Sequence, residues 1–345
     1  MCIRDSKCVD LIDGHFDDSF RTAAGEHRVG VSIGTASTGA GMSVEEVMSA
    51  ADASMYEMKR RGQGHLRVSP KAIKYVEEAL ALDRVVPYLQ PLVSVDKDGG
   101  LHLCGAEALV RVENEDGSID QPMSILPGLG ASKQALALDL RVLELAAAAA
   151  ADWHRQRLVP ANFYIAANLG AAAMADSRLT DKVISALAVG GLSPHNLVIE
   201  IPETAGEVDI TKIDRLRNLG IRIAIDDVGC QFSNLERLVD IPAEIAKIDR
   251  RWLPDGHSDD TTKLELFTGL VQQCDMLDLQ VCAEGIETEH QLKIVLEIGV
   301  ERLQGFLFGR PVGLAHFEQL WSRPNGQSLR ADATELSTTS RQSVR

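Results

Sequence analysis

Several common chemistries are missing from this 345-residue sequence. Its nine histidines form neither an HExxH motif nor a His-Asp pair, which removes the usual histidine-based metal hydrolases. Its six cysteines, at positions 2, 8, 104, 230, 274 and 282, show no CxxC spacing and no disulfide-like pairing, so buried thiols in a reducing compartment are expected. No uncharged apolar stretch reaches the roughly 18 residues that would suggest a membrane span, and the opening does not read as a secretory leader. A basic excess is also lacking: the formal net charge is −15, the wrong sign for a nucleic-acid partner. A cytoplasmic protein without a membrane segment is the expectation.

What is present is a series of short apolar runs, each ending on a polar residue. In "IRIAIDD", Ile221, Ile223 and Ile225 make a strand buried on both sides, and two aspartates, Asp226 and Asp227, follow directly. Similar runs end at Glu107, Asn168, Glu200, Lys247, Glu284 and Gln304. From Asn168 onward these positions stand about 20 to 37 residues apart, the length of a strand plus a helix, which predicts a (β/α)8 TIM-like barrel. Helices are expected at "LDLRVLELAAAAAADWHRQ", "ITKIDRLRNLG", "TKLELFTGLVQQCDMLD" and "TEHQLKIVLEIG". The last would open on a capping box from Thr288 to Gln291 and stop at Gly299. A second capping box, Ser233 with Glu236, predicts a helix soon after the aspartates. Upstream, "DKDGG" joins two strand-like runs and is too short to hold a crossover helix, so the first barrel strand should be antiparallel.

Ligands of parallel sheets gather at the carboxyl ends of the strands, so Glu107, Glu200, Asp226, Asp227 and Glu284 are expected around one mouth. Five carboxylates at close range cannot all ionise without cations. A set of oxygen donors with one amide, Asn168, and no histidine or cysteine favours Mg²⁺ or Mn²⁺ over zinc, and the number of charges suits two ions. A two-metal site is a common device for phosphodiester hydrolysis.

These residues resemble the EAL-domain family, bacterial phosphodiesterases of cyclic di-GMP. The resemblance rests on "YLQP" at 88 to 91, "EALVR" at 107 to 111, "ANL" around Asn168, "EIPE" at 200 to 203 and "IDD" at 225 to 227. It continues through "AKID" at 246 to 249, "AEGIET" at 283 to 288 and "QGFLFGRP" at 304 to 311. It implies metal-dependent hydrolysis of cyclic di-GMP to linear pGpG, and a homodimer formed through this domain. Glu107, Asn168, Glu200 and Asp226 match metal ligands, and Asp227 matches the ligand of the second metal. Lys247 matches a lysine that holds the attacking water or the phosphate, and Glu284 a general base or water-positioning carboxylate. Gln90 and Arg111 match substrate contacts. Gln304 matches an amide that supports the ligands and is grouped with the substrate contacts. Glu203 and Glu287 match residues that anchor the loop after Asp227. The chain departs from the family pattern in that loop, where "DDVGCQFSNL" carries Val228, Cys230 and Gln231 in place of the usual phenylalanine, threonine and glycine. A cyclic di-GMP receptor without turnover, or an interaction scaffold, is the alternative.

The barrel is expected over residues 85–322, after a linker helix at 71–84. Residues 1–70 resemble the carboxyl-terminal remnant of a GGDEF diguanylate cyclase domain. There "RVGVSIGTA" reads as a strand, and a helix opens on a capping box from Ser43 to Glu46 before "KRRGQG". The chain is therefore expected to begin inside that α/β domain, as a truncated or mis-started product. Residues 323–345 lack apolar periodicity and are expected to be a disordered tail.

Overall fold

The fold is described here from a computed structural model, in which residues 20–22, 25–27, 68–126, 129–203, 208–229, 235–254 and 261–321 are described. The chain divides into two units, 1–69 and 70–345. In the first, the described strands are β1 (Phe20–Thr22) and β2 (Gly25–His27), paired antiparallel with Phe20 opposite His27. The strand and capped helix expected of a cyclase-type remnant lie outside the described residues, as does the expected tail.

The second unit is a closed barrel. Its eight strands are β3 (Val85–Val95), β4 (Leu101–Glu113), β6 (Tyr164–Asn168), β7 (Leu197–Pro202), β8 (Arg222–Val228), β9 (Ile245–Ile248), β10 (Gln280–Ala283) and β11 (Arg302–Gln304). They pair around the ring in that order, and β3 closes it by pairing with both β4 and β11. Both pairings of β3 are antiparallel, and all the others in the ring are parallel. The reversal follows from the short turn after β3, where the Asp96 carboxylate accepts from the backbone N–H of Asp98 and of Gly100. Two further pieces extend the sheet beyond the sequence expectation: β5 (Ile119–Asp120) on β4 and β12 (Val312–Gly313) on β3.

The period-2 alternation of the strands separates two sets of side chains. The outward set, with Ile165, Ile199, Ile201, Ile223, Ile225, Ala246, Ile248 and Leu303, is buried beneath the helices. The inward set fills the barrel with Leu92, Cys104, Tyr164, Ala166, Val198, Ala224, Ile245 and Cys282. The main helices are α1 (Pro70–Ala81), α2 (Pro122–Ile125), α3 (Lys133–Gln156), α4 (Ala171–Ala175), α5 (Leu179–Gly190), α6 (Ile210–Asn218), α7 (Leu235–Asp240), α8 (Thr261–Met276), α9 (Glu289–Glu297) and α10 (Leu314–Trp321). Helix α1 buries Val76 and Ala79 in the barrel's core.

The alanine run of α3 is a packing surface. Ala146, Ala147, Ala150 and Ala151 are buried, and α5 comes so close that a Cβ on Gly190 would lie 2.7 Å from the Ala148 backbone nitrogen. Ser132 caps α3 by accepting from the Ala135 N–H. The capping box of α9 forms as expected, with Thr288 and Gln291 accepting each other's backbone N–H, and Gly299 ends the segment at φ +93°. The box expected from Ser233 to Glu236 lies outside the described residues and side chains, although α7 is present. No helix among the described residues is long and apolar enough to cross a membrane.

Candidate active site

Following the inward row of each strand to one mouth leads to a polar residue on all eight strands. The row runs from Leu92 to Gln90 on the reversed β3, and from Tyr164 through Ala166 to Asn168 on β6. It runs from Val198 to Glu200, Ala224 to Asp226, Ile245 to Lys247, Cys282 to Glu284, and Arg302 to Gln304 on the strands that follow. Gln90 lies directly opposite Glu107 of β4. Each strand thus delivers one hydrogen-bonding or charged side chain to the same end.

Strand β8 delivers two. Ala224 and Ile225 pair with Ile245 and Ala246, and the next pairing joins Val228 to Ile248, so β8 holds one residue more than β9 over this step. This is a β-bulge, which breaks the alternation that would otherwise send adjacent side chains to opposite faces. Asp227 takes φ +58° within it, a conformation that aspartate tolerates better than most residues. Ligand oxygens of Asp226, Asp227 and Glu284 consequently lie within 4.8 Å of one another. Gly229 follows at φ +88°, where a Cβ would stand 2.5 Å from the Trp252 Nε1, and its N–H donates to Glu203 Oε2 at 3.0 Å. The Glu203 N–H donates in turn to the Asp226 carbonyl at 2.9 Å. Glu203 therefore ties both sides of the bulge to β7.

Lys247 occupies the centre. Its Nζ lies 2.7 Å from Glu200 Oε1, 2.7 Å from Glu284 Oε1, 3.3 Å from Glu107 Oε2 and 3.4 Å from Asp226 Oδ1. Asp249, two residues on, pairs with Arg251 at 2.9 Å and leaves Lys247 to these carboxylates. Burial opposes charge on the lysine, yet Asp226, Glu107, Glu200 and Glu284 together hold its ammonium well above the ordinary range. Glu107 receives hydrogen bonds from Asn168 Nδ2 (2.7 Å) and Gln304 Nε2 (2.6 Å). Although burial acts to raise Glu107, Lys247 and these two amides keep it below its usual value. The other carboxyls go the opposite way. Burial and the Glu107 charge push Glu200 well up, burial lifts Asp226 against the pull of Lys247, and burial raises Glu284 to about 8. Asp227 is raised by burial and by Asp226 beside it.

One ammonium is thus set against five carboxylates, and Glu200 Oε2 is buried without a hydrogen-bond partner. The oxygen donor set and the orphaned oxygen fit a hard cation, and the acidic cluster can hold a metal ion.

A cavity of about 210 Å³ opens over this cluster. Gln90, Glu107, Asp226, Lys247, Glu284, Glu287 and Gln304 line it. Gln304 also donates to Gln90 Oε1 at 3.2 Å, and Gln90 donates to the Gly309 carbonyl at 3.3 Å. Glu287 is at the rim, 3.6 Å from Arg250 Nη1. Arg111 stands apart. Its guanidinium donates to the Val110 carbonyl at 2.8 Å and lies 5.6 Å from the Tyr88 ring centroid, outside the residues that line the cavity. The wall also includes Leu109, Asp249, Arg250, Gly285, Gly305 and Phe306, none of which was singled out from sequence. Leu109 was findable, because it lies two residues from Glu107 on the same row.

Comparison with known proteins agrees with this geometry. A family model described as "EAL domain" matches residues 74–311. The signaling protein YkoW of Bacillus subtilis is 33% identical over 292 residues, covering 79% of this chain and 35% of that protein. The cyclic di-GMP phosphodiesterase NbdA of Pseudomonas aeruginosa is 32% identical over 251 residues, covering 71% of this chain and 31% of that protein. The chain thus spans about a third of the length of these relatives. Among solved structures, the phosphodiesterase of Pseudomonas aeruginosa MucR in complex with c-di-GMP superposes with a TM-score of 0.64 at 30% identity. That match covers 72% of this chain and 99% of the other.

Proposed function

Because the chain belongs to the EAL-domain family, we propose that its barrel is a metal-dependent phosphodiesterase that hydrolyses cyclic di-GMP to linear pGpG. The observation that carries this reading is the complete ring of inward polar residues, one per strand, closed around Lys247 with a second aspartate added by the β8 bulge. A relative of known substrate, the MucR phosphodiesterase, shares the fold at 30% identity.

In this proposal Glu107, Asn168, Glu200 and Asp226 hold one Mg²⁺ or Mn²⁺, and Asp227 helps to hold a second. When bound, the ions supply positive charge that polarises the scissile phosphate and acidifies water at the mouth. The protein's own groups do the rest. Gln304 and Asn168 fix the Glu107 carboxylate from either side. Lys247 holds the attacking water or a phosphate oxygen in line, as a buried cation with four carboxylates around it. Glu284, on the cavity wall and 2.7 Å from Lys247, is placed to take a proton from that water. Glu203 and Glu287 keep the bulge and the rim in place, while Gln90 and Arg111 contact the substrate, Arg111 after turning away from Tyr88.

Two further parts of the proposal lie beyond the barrel's chemistry. Two chains pair through this domain, supported by the exposed apolar side chains of Val239 on α7 and Leu266 and Met276 on α8. Residues 1–70 are GGDEF-like, supported by the motifs they carry.

A receptor without turnover is the competing reading, motivated by Val228, Cys230 and Gln231 in the loop after Asp227. Val228 is buried and paired with Ile248, so that position accommodates the change. Cys230 and Gln231 lie outside the described residues. Incubation of the full chain with cyclic di-GMP and Mn²⁺, with chromatographic separation of the products, decides between the two. The enzyme yields pGpG, whereas saturable binding with the ligand recovered intact would establish the receptor.

A further inference from the structure

The inward rows also run the other way. At the amino-terminal ends of the parallel strands they finish on Tyr164, the first residue of β6, and on Arg222 and Arg302, the first residues of β8 and β11. These three surround a cavity of about 340 Å³, separate from the acidic mouth, whose wall also includes Cys104, Asn162 and His195. The Arg222 guanidinium lies 4.4 Å from the Tyr164 ring centroid and that of Arg302 lies 5.6 Å from it. Arg302 donates from Nη1 to the Tyr164 hydroxyl at 3.1 Å and from Nε to Gln280 Oε1 at 3.0 Å, both uncharged partners.

Among the described residues, neither guanidinium has a carboxylate at ion-pair distance. The carboxylate that acts on Arg222 from nearby, Glu244, is already engaged by Arg217 Nε at 2.7 Å and the Ile223 N–H at 2.8 Å. Two like charges therefore share one tyrosine ring inside a half-enclosed pocket. Charges removed from water are ordinarily paired, and stacking on an aromatic ring does not relieve repulsion between two cations. No carboxylate lines the cavity.

We propose that this opposite mouth is a second ligand site, which binds a small phosphate or phosphate monoester between Arg222 and Arg302. Guanidinium forks match phosphate oxygens in geometry as well as charge. His195 and Asn162 stand on the wall for the rest of the ligand, and the cavity limits that body to a small molecule.

The test uses the full chain stripped of metal and kept in EDTA, so that phosphate cannot reach the acidic mouth through an ion. Inorganic phosphate, phenyl phosphate and acetate are titrated calorimetrically at constant ionic strength. The expected result is one site per chain for phosphate or phenyl phosphate, saturating in the millimolar range or below. Arg222→Met and Arg302→Met should each weaken that binding at least about tenfold, and Arg222→Lys, which keeps the charge and loses the fork, several-fold. Mn²⁺ binding at the far mouth, unchanged in these variants, shows that they are folded. Absence of saturable phosphate or phosphate-ester binding would overturn the proposal. So would acetate binding as tightly as phosphate, or equal phosphate binding in the wild type and both methionine variants.

Discussion

Replacing Lys247 with methionine keeps most of the side chain's volume and removes the one cation at the centre of the acidic mouth. In the wild type its Nζ is 2.7 Å from both Glu200 and Glu284 and within 3.4 Å of Glu107 and Asp226. Removing one partner of a buried ion pair costs about 3–5 kcal/mol, because the charges left behind have lost their compensation. For a domain of this size that corresponds to a fall in Tm of roughly 6 to 20 °C. The loss should depend on pH. Glu200, Asp226 and Glu284 are already raised by burial, and without the ammonium they rise further. A carboxyl raised in the folded state binds a proton there after the unfolded chain has released it. Stability therefore falls as pH rises from the unfolded value through the folded one. Thermal unfolding in EDTA should show a larger deficit for Lys247→Met at pH 8 than at pH 5.5, and Mn²⁺ should recover more of it in the variant than it adds to the wild type. Equal stability of the two proteins in EDTA at pH 8, or a deficit independent of pH, would refute this account of the mouth.

Glu107→Ala or Asp226→Ala should abolish pGpG formation in a product assay, and Ca²⁺ should inhibit the wild type, since it is larger and favours looser coordination than Mg²⁺. Gly229→Ala should cost about 1–3 kcal/mol by denaturant titration, given the φ of +88° and a Cβ position 2.5 Å from Trp252; no change would mean that the bulge relaxes freely. Asp139 of α3 has its carboxyl raised to about 7 by burial, against a hydrogen bond that it accepts from the Gly170 N–H at 3.0 Å. Asp139→Asn should therefore raise Tm at pH 8 and leave it nearly unchanged at pH 4, because the penalty on the folded carboxyl develops between the unfolded value near 3.8 and about 7; equal gains at both pH values would exclude that origin.

From Asn168 onward the ring of inward residues was readable in sequence because each of those strands carries its polar residue at or near its carboxyl end, and a period of 2 needs no tertiary information. The antiparallel first strand was readable for a similar reason, since residues 96 to 100 cannot house a helix. The β8 bulge was not. "IDDVG" does not say which residue is the extra one, and only the pairing with β9 shows why two adjacent aspartates can serve one mouth. The short strands β5 and β12 were missed because two residues carry no periodic pattern. Arg111 was expected against substrate, and its rest position over Tyr88 depends on a neighbour across the β3–β4 pair. The arginine-lined mouth leaves no comparable signal in the sequence, because Tyr164, Arg222 and Arg302 begin their strands, and no apolar run ends on them.

The rate of pGpG formation by the full chain, stripped of metal and then titrated with Mn²⁺, tests the central claim most directly. The two-ion proposal predicts no hydrolysis in excess EDTA and a rise steeper than first order as Mn²⁺ is added, with cyclic di-GMP consumed and pGpG formed in equal amounts. Undiminished hydrolysis in excess EDTA, or cyclic di-GMP bound and returned intact at every Mn²⁺ concentration, would contradict it.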